Sequence, residues 1–327
     1  MSLSRVLAFL FCLLPAVTVT WADEADDLAS AITAHVHGSL PASAPPMTAE
    51  DASRVAGFTH YIFREFYYPT NPRELQAAAF AAIDAADTPA SANSLEQAAM
   101  IGVVNSLGHG ARVLTTLGSD APEGSGATAP IRLEGSIEVV ALPTMNVTDS
   151  NTPRTCADFV RYFDFRPSDG VTGVVLDLRG NEGGPLTDSA CLAGFFLKNG
   201  EPLFEVVGKQ GKVVKYRAES KGHNVIGVPA AVLIDAHTDN GGLLVAAVLQ
   251  DHRRAAVIGA LKTGVNGAVS SLVFPPAINR AVVLPTGEIL LPDKRPLEAG
   301  GVHVDIPVSA QDDNALLNAA RNYLALR

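Results

Sequence analysis

Two short runs hold the residues whose types and spacing could carry chemistry. The first is IDAHTDNGGLLVAAVLQDH, residues 234–252, where an apolar strand ending at Ile234 enters a polar turn and then a helix rich in Leu, Val and Ala. The first N–H groups of such a helix and the positive end of its dipole can hold an oxyanion, so this junction is where an α/β enzyme can place a nucleophile. The turn offers His237, Thr238, Asp239 and Asn240, with neither serine nor cysteine. The second run is GVVLDLRGNEGGPLTDSACLAGFFL, a buried strand ending in Asp177 and Arg179, a turn carrying Gly180, Gly183 and Gly184, and a helix opening near Thr187 or Asp188. Glycines at such a turn allow positive φ and close approach by a second backbone, and they leave N–H groups free to face a ligand oxygen. The turn lacks the Lys-Ser/Thr ending of a phosphate-cradling loop, which speaks against nucleotide binding.

These turns need elements to hold them. SIEVVALP, VTGVVLDLR, PAAVLID and AAVIGA read as strands alternating with helices such as TDSACLAGFFLK and GGLLVAAVLQDH. The near-continuous apolar runs predict an α/β fold, a largely parallel twisted sheet with crossover helices. PLFEVVGKQGKVVKYRA predicts a hairpin turning at Lys209-Gln210-Gly211, and RAVVLPTGEILLP belongs to a last hairpin region. An α-helical unit precedes the sheet, with helix starts at Asn71-Pro72 and at Ser94, which has Gln97 as a capping-box partner. The expected organisation is a signal peptide over 1–22, the helical unit over 23–118, a Gly/Pro/Ser-rich linker over 119–130 and the α/β core over 131–327.

The formal charge of −10 argues against nucleic acid or an anionic membrane as partner, because either requires a concentrated positive surface. Arg5, the apolar run Val6 to Val19 and the ending Thr20-Trp21-Ala22 have the layout of a secretory signal cleaved after Ala22, which puts the chain outside the cytoplasm, secreted or periplasmic, with no later membrane anchor. The mature chain then keeps Cys156 and Cys191, which can pair in an oxidising compartment or stand as two buried thiols. His35 and His37 alternate on a polar helix face, and no motif calls for a metal or a cofactor. Asn146-Val147-Thr148 is a glycosylation sequon, meaningful only in a eukaryotic secretory pathway.

The LDLRGNEGG run closely resembles the C-terminal processing (tail-specific) peptidase family, whose members carry a strand of the LDLRNNPGG type. The resemblance extends from about Gly135 to Val308 and takes in GSIEVVALP, LQDHRRAAVIGALKTG and GGVHVDIPV in order. NSLGHGAR is similar to a family turn that ends in histidine, which gives His109 a related place. The family implies a peptidase with a serine nucleophile, a lysine base and an oxyanion turn after LDLR. Here the serine position is Asn240, the lysine position is Asn266 and the supporting glutamine falls on Ser270. No serine occurs from Lys221 to Val269, and an amide is neither a nucleophile nor a base at neutral pH. The family's PDZ module is also missing, because Arg112 and Ser136 stand too close together to enclose one.

Three readings follow. The first is a pseudopeptidase that binds a peptide or protein partner in the former groove, with Gly180, Gly183 and Gly184 as its oxygen-binding turn. The second is a hydrolase rebuilt on Thr238 with Lys262, or with His237, since threonine can serve as a nucleophile beside a base, although Thr238 can also simply cap the helix. The third is an assembly role in a larger envelope complex.

Overall fold

The structure, a computed structural model, describes residues 20–87, 90–114, 131–142, 170–219, 225–260, 268–275, 278, 280–297, 302–308 and 312–327. The chain forms two compact units, one made of Met1–Arg64 with Asn71–Gly102 and the other of Glu65–Thr70 with Val103–Arg327.

The first unit is helical. Helix α1 (Trp21–Ser39) starts from a capping box in which Thr20 and Asp23 satisfy each other's backbone N–H groups, and it buries the stripe Leu28, Ile32 and Val36. Helix α2 (Ala49–Glu65) uses the same device with Thr48 and Asp51. Helix α3 (Pro72–Asp84) opens as the sequence predicts, with Asn71 as cap and proline at its start. Helix α4 (Ala92–Ser106) begins earlier than Ser94: Ser91 and Ser94 exchange the capping bonds, so the signal read at Ser94 and Gln97 lies one turn inside the helix. A Cβ on Gly102 would stand 2.5 Å from the Ala78 carbonyl oxygen, so glycine there lets α4 approach α3 closely.

The second unit holds the strands β1 (Arg112–Val113), β2 (Ile131–Glu134), β3 (Ile137–Ala141), β4 (Gly173–Asp177), β5 (Pro202–Gly208), β6 (Val213–Arg217), β7 (Ala230–Ile234), β8 (Ala255–Gly259), β9 (Ala268–Val273), β10 (Val282–Leu290) and β11 (Ile306–Pro307). It also holds helices α5 (Leu186–Phe195), α6 (Asn240–Asp251) and α7 (Asp313–Leu324). One sheet has the order β11-β8-β7-β4-β3-β2 and is parallel except at its β2 edge. Both faces of this sheet are covered, which is why its strands read as unbroken apolar runs. Val174, Leu176, Val232 and Ile234 face the cluster that includes α5 and α6, while Val175, Ala231 and Leu233 face Leu316, Ala320 and Leu324 of α7.

The second sheet is antiparallel throughout and joins hairpins that the sequence reading kept separate. Its order is β1-β10-β5-β6, with β9 on β10. The hairpin between β5 and β6 turns through a 3₁₀ segment at Lys209–Gly211, as expected. Strand β1 pairs Arg112 with Val283, so residues assigned by sequence to the helical unit contribute to this sheet.

Candidate functional site

The site is built where β4 and β7, neighbours in the parallel sheet, end in adjacent turns. This is the carboxyl edge at which open α/β sheets place their ligands. The β4 turn is held from three sides. Arg179 grips Asp177 through two hydrogen bonds of 2.8 and 2.7 Å, an ion pair at the strand end. Asn181, fully buried, donates its amide to the Leu142 carbonyl at 2.7 Å and accepts the Gly183 N–H at 2.8 Å. The Gly180 N–H donates to Asp235 Oδ1 at 2.9 Å, which ties the β4 turn to the β7 turn.

Asp235 is the hub of the second turn. Its Oδ1 also accepts the N–H groups of His237 at 3.0 Å and Thr238 at 2.9 Å, and the Thr238 hydroxyl at 3.0 Å. Burial alone would raise its carboxyl, but the bonds from Gly180, Thr238 and His237 outweigh burial and hold it below the usual carboxylate range. Thr238 is 2% exposed, and its oxygen accepts the Asp235 N–H at 2.9 Å while its proton is shared between Asp235 and the Leu178 carbonyl at 2.9 Å. Its hydroxyl therefore closes the turn. The helix cap is its neighbour Asp239, whose carboxylate accepts the Asn240 N–H at 2.8 Å.

Asn240 opens α6 with φ of 44°, a left-handed backbone that asparagine tolerates better than most residues. Its side-chain amide donates to the Glu182 carbonyl at 3.0 Å, so the residue reaches across to the β4 turn. Gly183, with φ of 98°, lies against it: a Cβ there would stand 2.4 Å from the Gly241 nitrogen and 2.8 Å from the Asn240 Cβ. A Cβ on Gly241 would in turn meet the Ser189 Oγ at 2.5 Å and the Gly184 nitrogen at 3.2 Å. The two turns interlock through glycine. Among the described residues the N–H groups of Gly180 and Gly183 are spent on Asp235 and Asn181, whereas those of Gly184 and Gly241 have no hydrogen-bond partner.

Of the other residues singled out by sequence, Lys262, Asn266 and Cys156 lie outside the described residues. Ser270 is exposed on β9, paired with Pro285 of β10. Cys191 is disulfide-bonded. His252 caps the end of α6, with its Nε2 2.8 Å from the Pro202 carbonyl. His109 has φ of 52° and stacks on Tyr68 at 3.6 Å between ring centroids. His35 stacks on Phe80 and lies 2.9 Å from Asp84. Among the described residues no group of three or more His, Cys, Asp or Glu could hold a metal, and no helix is long and apolar enough to cross a membrane. Sequence reasoning missed Asp235 and Asn181. The available signals were an Asp three residues before a Thr at a strand end, an Asx-turn pattern, and an Asn inside a Gly-rich turn.

Residues 136–308 match the family model of peptidase family S41. Over 142 residues the chain is 34% identical to the carboxy-terminal-processing protease of Bartonella bacilliformis, a match covering 43% of this chain and 32% of that protein. Over 187 residues it is 27% identical to the chloroplastic carboxyl-terminal-processing peptidase 2 of Arabidopsis thaliana, covering 57% and 33%. The chain thus spans about a third of the length of these relatives. Its fold is similar to that of a lipoprotein from Streptococcus agalactiae, with a TM-score of 0.60 at 16% identity over 93% of this chain and 96% of that one.

Proposed function

The chain belongs to peptidase family S41, and from that membership we propose that it is a pseudopeptidase, which binds a peptide or protein partner in the former active-site groove and does not cut it. One observation carries the reading. The residue at the nucleophile position, Asn240, presents an amide, and that amide is spent on the Glu182 carbonyl. Such a group can neither attack a carbonyl carbon nor release a proton to a base. The rebuilt alternative requires the Thr238 hydroxyl, which is enclosed and bonded on all sides, and Lys262 as its base. Binding needs less. The Gly184 and Gly241 N–H groups beside the start of α6 suit a carbonyl or carboxylate oxygen of an extended peptide.

We place the protein outside the cytoplasm, with its leader removed after Ala22. The disulfide at Cys191 fits that compartment, and Cys156 is its partner in this proposal. Peptide mapping without reductant tests the pairing, and N-terminal sequencing of exported protein tests the cleavage.

The functional test is incubation of the chain from Asp23 onward with an unfolded protein and a peptide library, read by mass spectrometry beside Thr238→Ala and Lys262→Ala. No cleavage is expected, together with peptide binding that Gly184→Pro weakens by removing one N–H donor. Cleavage that disappears in either alanine variant overturns the pseudopeptidase reading in favour of a threonine hydrolase. Inertness without binding favours an assembly role.

A further inference from the structure

The outer edge of β6 is unpaired among the described residues. β6 ends its sheet, and no described residue pairs with its far side. The register 207↔213, 206↔214 and 205↔215, with the Gly208 N–H bonded to the Lys212 carbonyl, fixes which groups face outward. In an antiparallel ladder, bonded and non-bonded pairs alternate, so Val214 and Tyr216 spend their backbone groups on β5 while Val213 and Lys215 turn theirs away from it. The side chains sort by the same alternation. Tyr216 stacks on the buried Phe204 at 4.5 Å, which puts Val214 and Tyr216 on the core side and Val213, Lys215 and Arg217 on the other.

Two features set this edge apart. Val213 and Val214 are 45% and 43% exposed, adjacent large aliphatic residues in water. Between Val206 and Ala218 the hairpin carries Lys209, Lys212, Lys215 and Arg217 and no carboxylate, within a chain of net charge −10. The nearest carboxylate across the hairpin, Glu205, is engaged by Lys294 at 2.6 Å and by Lys215 at 3.5 Å. Glu201 and Glu219 flank the hairpin at its open end. We infer that the β6 edge docks an extended peptide strand of alternating apolar and acidic residues, whose apolar side chains continue the row of Val214 and Tyr216 and whose carboxylates face Lys215 and Arg217. Main-chain bonds to Val213 and Lys215 supply the pairing, and the alternating side chains supply the selection.

The test is fluorescence anisotropy of a labelled Glu-Val-Glu-Val-Glu-Val-Glu peptide against its Lys-Val counterpart, with the full chain at low and high salt. The acidic peptide is expected to bind, to weaken with salt, and to lose about tenfold or more in affinity in Lys215→Pro, which removes an outward N–H and leaves the β5 ladder intact. The double variant Lys215→Glu/Arg217→Glu keeps the backbone and is expected to reverse the preference toward the Lys-Val peptide. Absence of binding, equal binding of both peptides, or binding unchanged in both variants overturns the inference. A dimer of the protein alone that Lys215→Pro dissolves overturns it in favour of a second copy on this edge. Gly184→Pro leaves this binding unchanged, which separates it from the groove.

Discussion

Asn240 and Glu182 are joined by a hydrogen bond of 3.0 Å from the side-chain amide of one to the backbone carbonyl of the other. The bond runs between the start of α6 and the turn after β4. The asparagine here therefore links the two turns, and on the pseudopeptidase reading it does so from the nucleophile position. The double variant Asn240→Ser/Asn266→Lys is expected to gain slow peptide cleavage that neither single variant has, read by mass spectrometry. If the double variant stays silent while remaining folded, the groove has changed beyond these two positions.

Gly183→Ala is expected to be costly, and Gly180→Ala much less so. Both glycines have positive φ, which costs a non-glycine residue roughly 1–2 kcal/mol. Only Gly183 is also packed against backbone, at 2.4 Å from the Gly241 nitrogen, while nothing lies within 4 Å of a Cβ on Gly180. Urea unfolding of the two variants checks the order, and equal losses would refute the interlock.

Thr238→Val keeps the shape of the turn and removes its oxygen. The Asp235 N–H and the Leu178 carbonyl then lose a partner, an expected destabilisation of about 1–3 kcal/mol. A variant as stable as the parent would mean that the hydroxyl is not holding the turn.

Asp235 gives the site an acid limit. Its folded carboxyl lies below the ordinary value, so the stability it contributes is fully present above the unfolded-state pKa and is lost as pH falls through the folded one. Asp235→Asn is expected to be less stable at neutral pH, with the gap to the parent closing in strong acid. Thermal melts across pH would show the two curves converging, and a gap independent of pH would contradict the assignment.

Arg254 donates to the carbonyls of Phe196, Val225 and Val228 and lies over the Phe196 ring. Burial pulls its guanidinium below the usual value, although the planar fork remains charged. Arg254→Lys keeps the charge and loses the fork, so a marked fall in stability is expected in chemical unfolding. Parent-like stability in the lysine variant would show that charge alone suffices.

Much of the site was legible before folding. The strand-turn-helix runs at 171–197 and 229–252 announced themselves by apolar periodicity and glycine, and the order of four matched segments pointed to the family. What stayed hidden were partnerships between distant positions. Asp235 reaches Gly180 across 55 residues, and Asn181 reaches Leu142 across 39, separations that no local pattern encodes. The start of α4 was misplaced because Ser91 and Ser94 are both competent caps, and only the packed helix selects Ser91.

The sequence by itself determined the chemistry available: a strand-end turn with neither serine nor cysteine, glycines in the turn after LDLR, and strands apolar enough to be buried on both faces. These are properties of residue type and spacing, readable in one dimension. The tertiary structure alone decided how those groups are used. It consumed the Thr238 hydroxyl in a turn, bonded the Asn240 amide to Glu182, and among the described residues left the N–H groups of Gly184 and Gly241 without a partner. A hydrogen-bonding group has a fixed capacity, and which distant partner fills that capacity is settled only when the sheet brings β4 and β7 side by side.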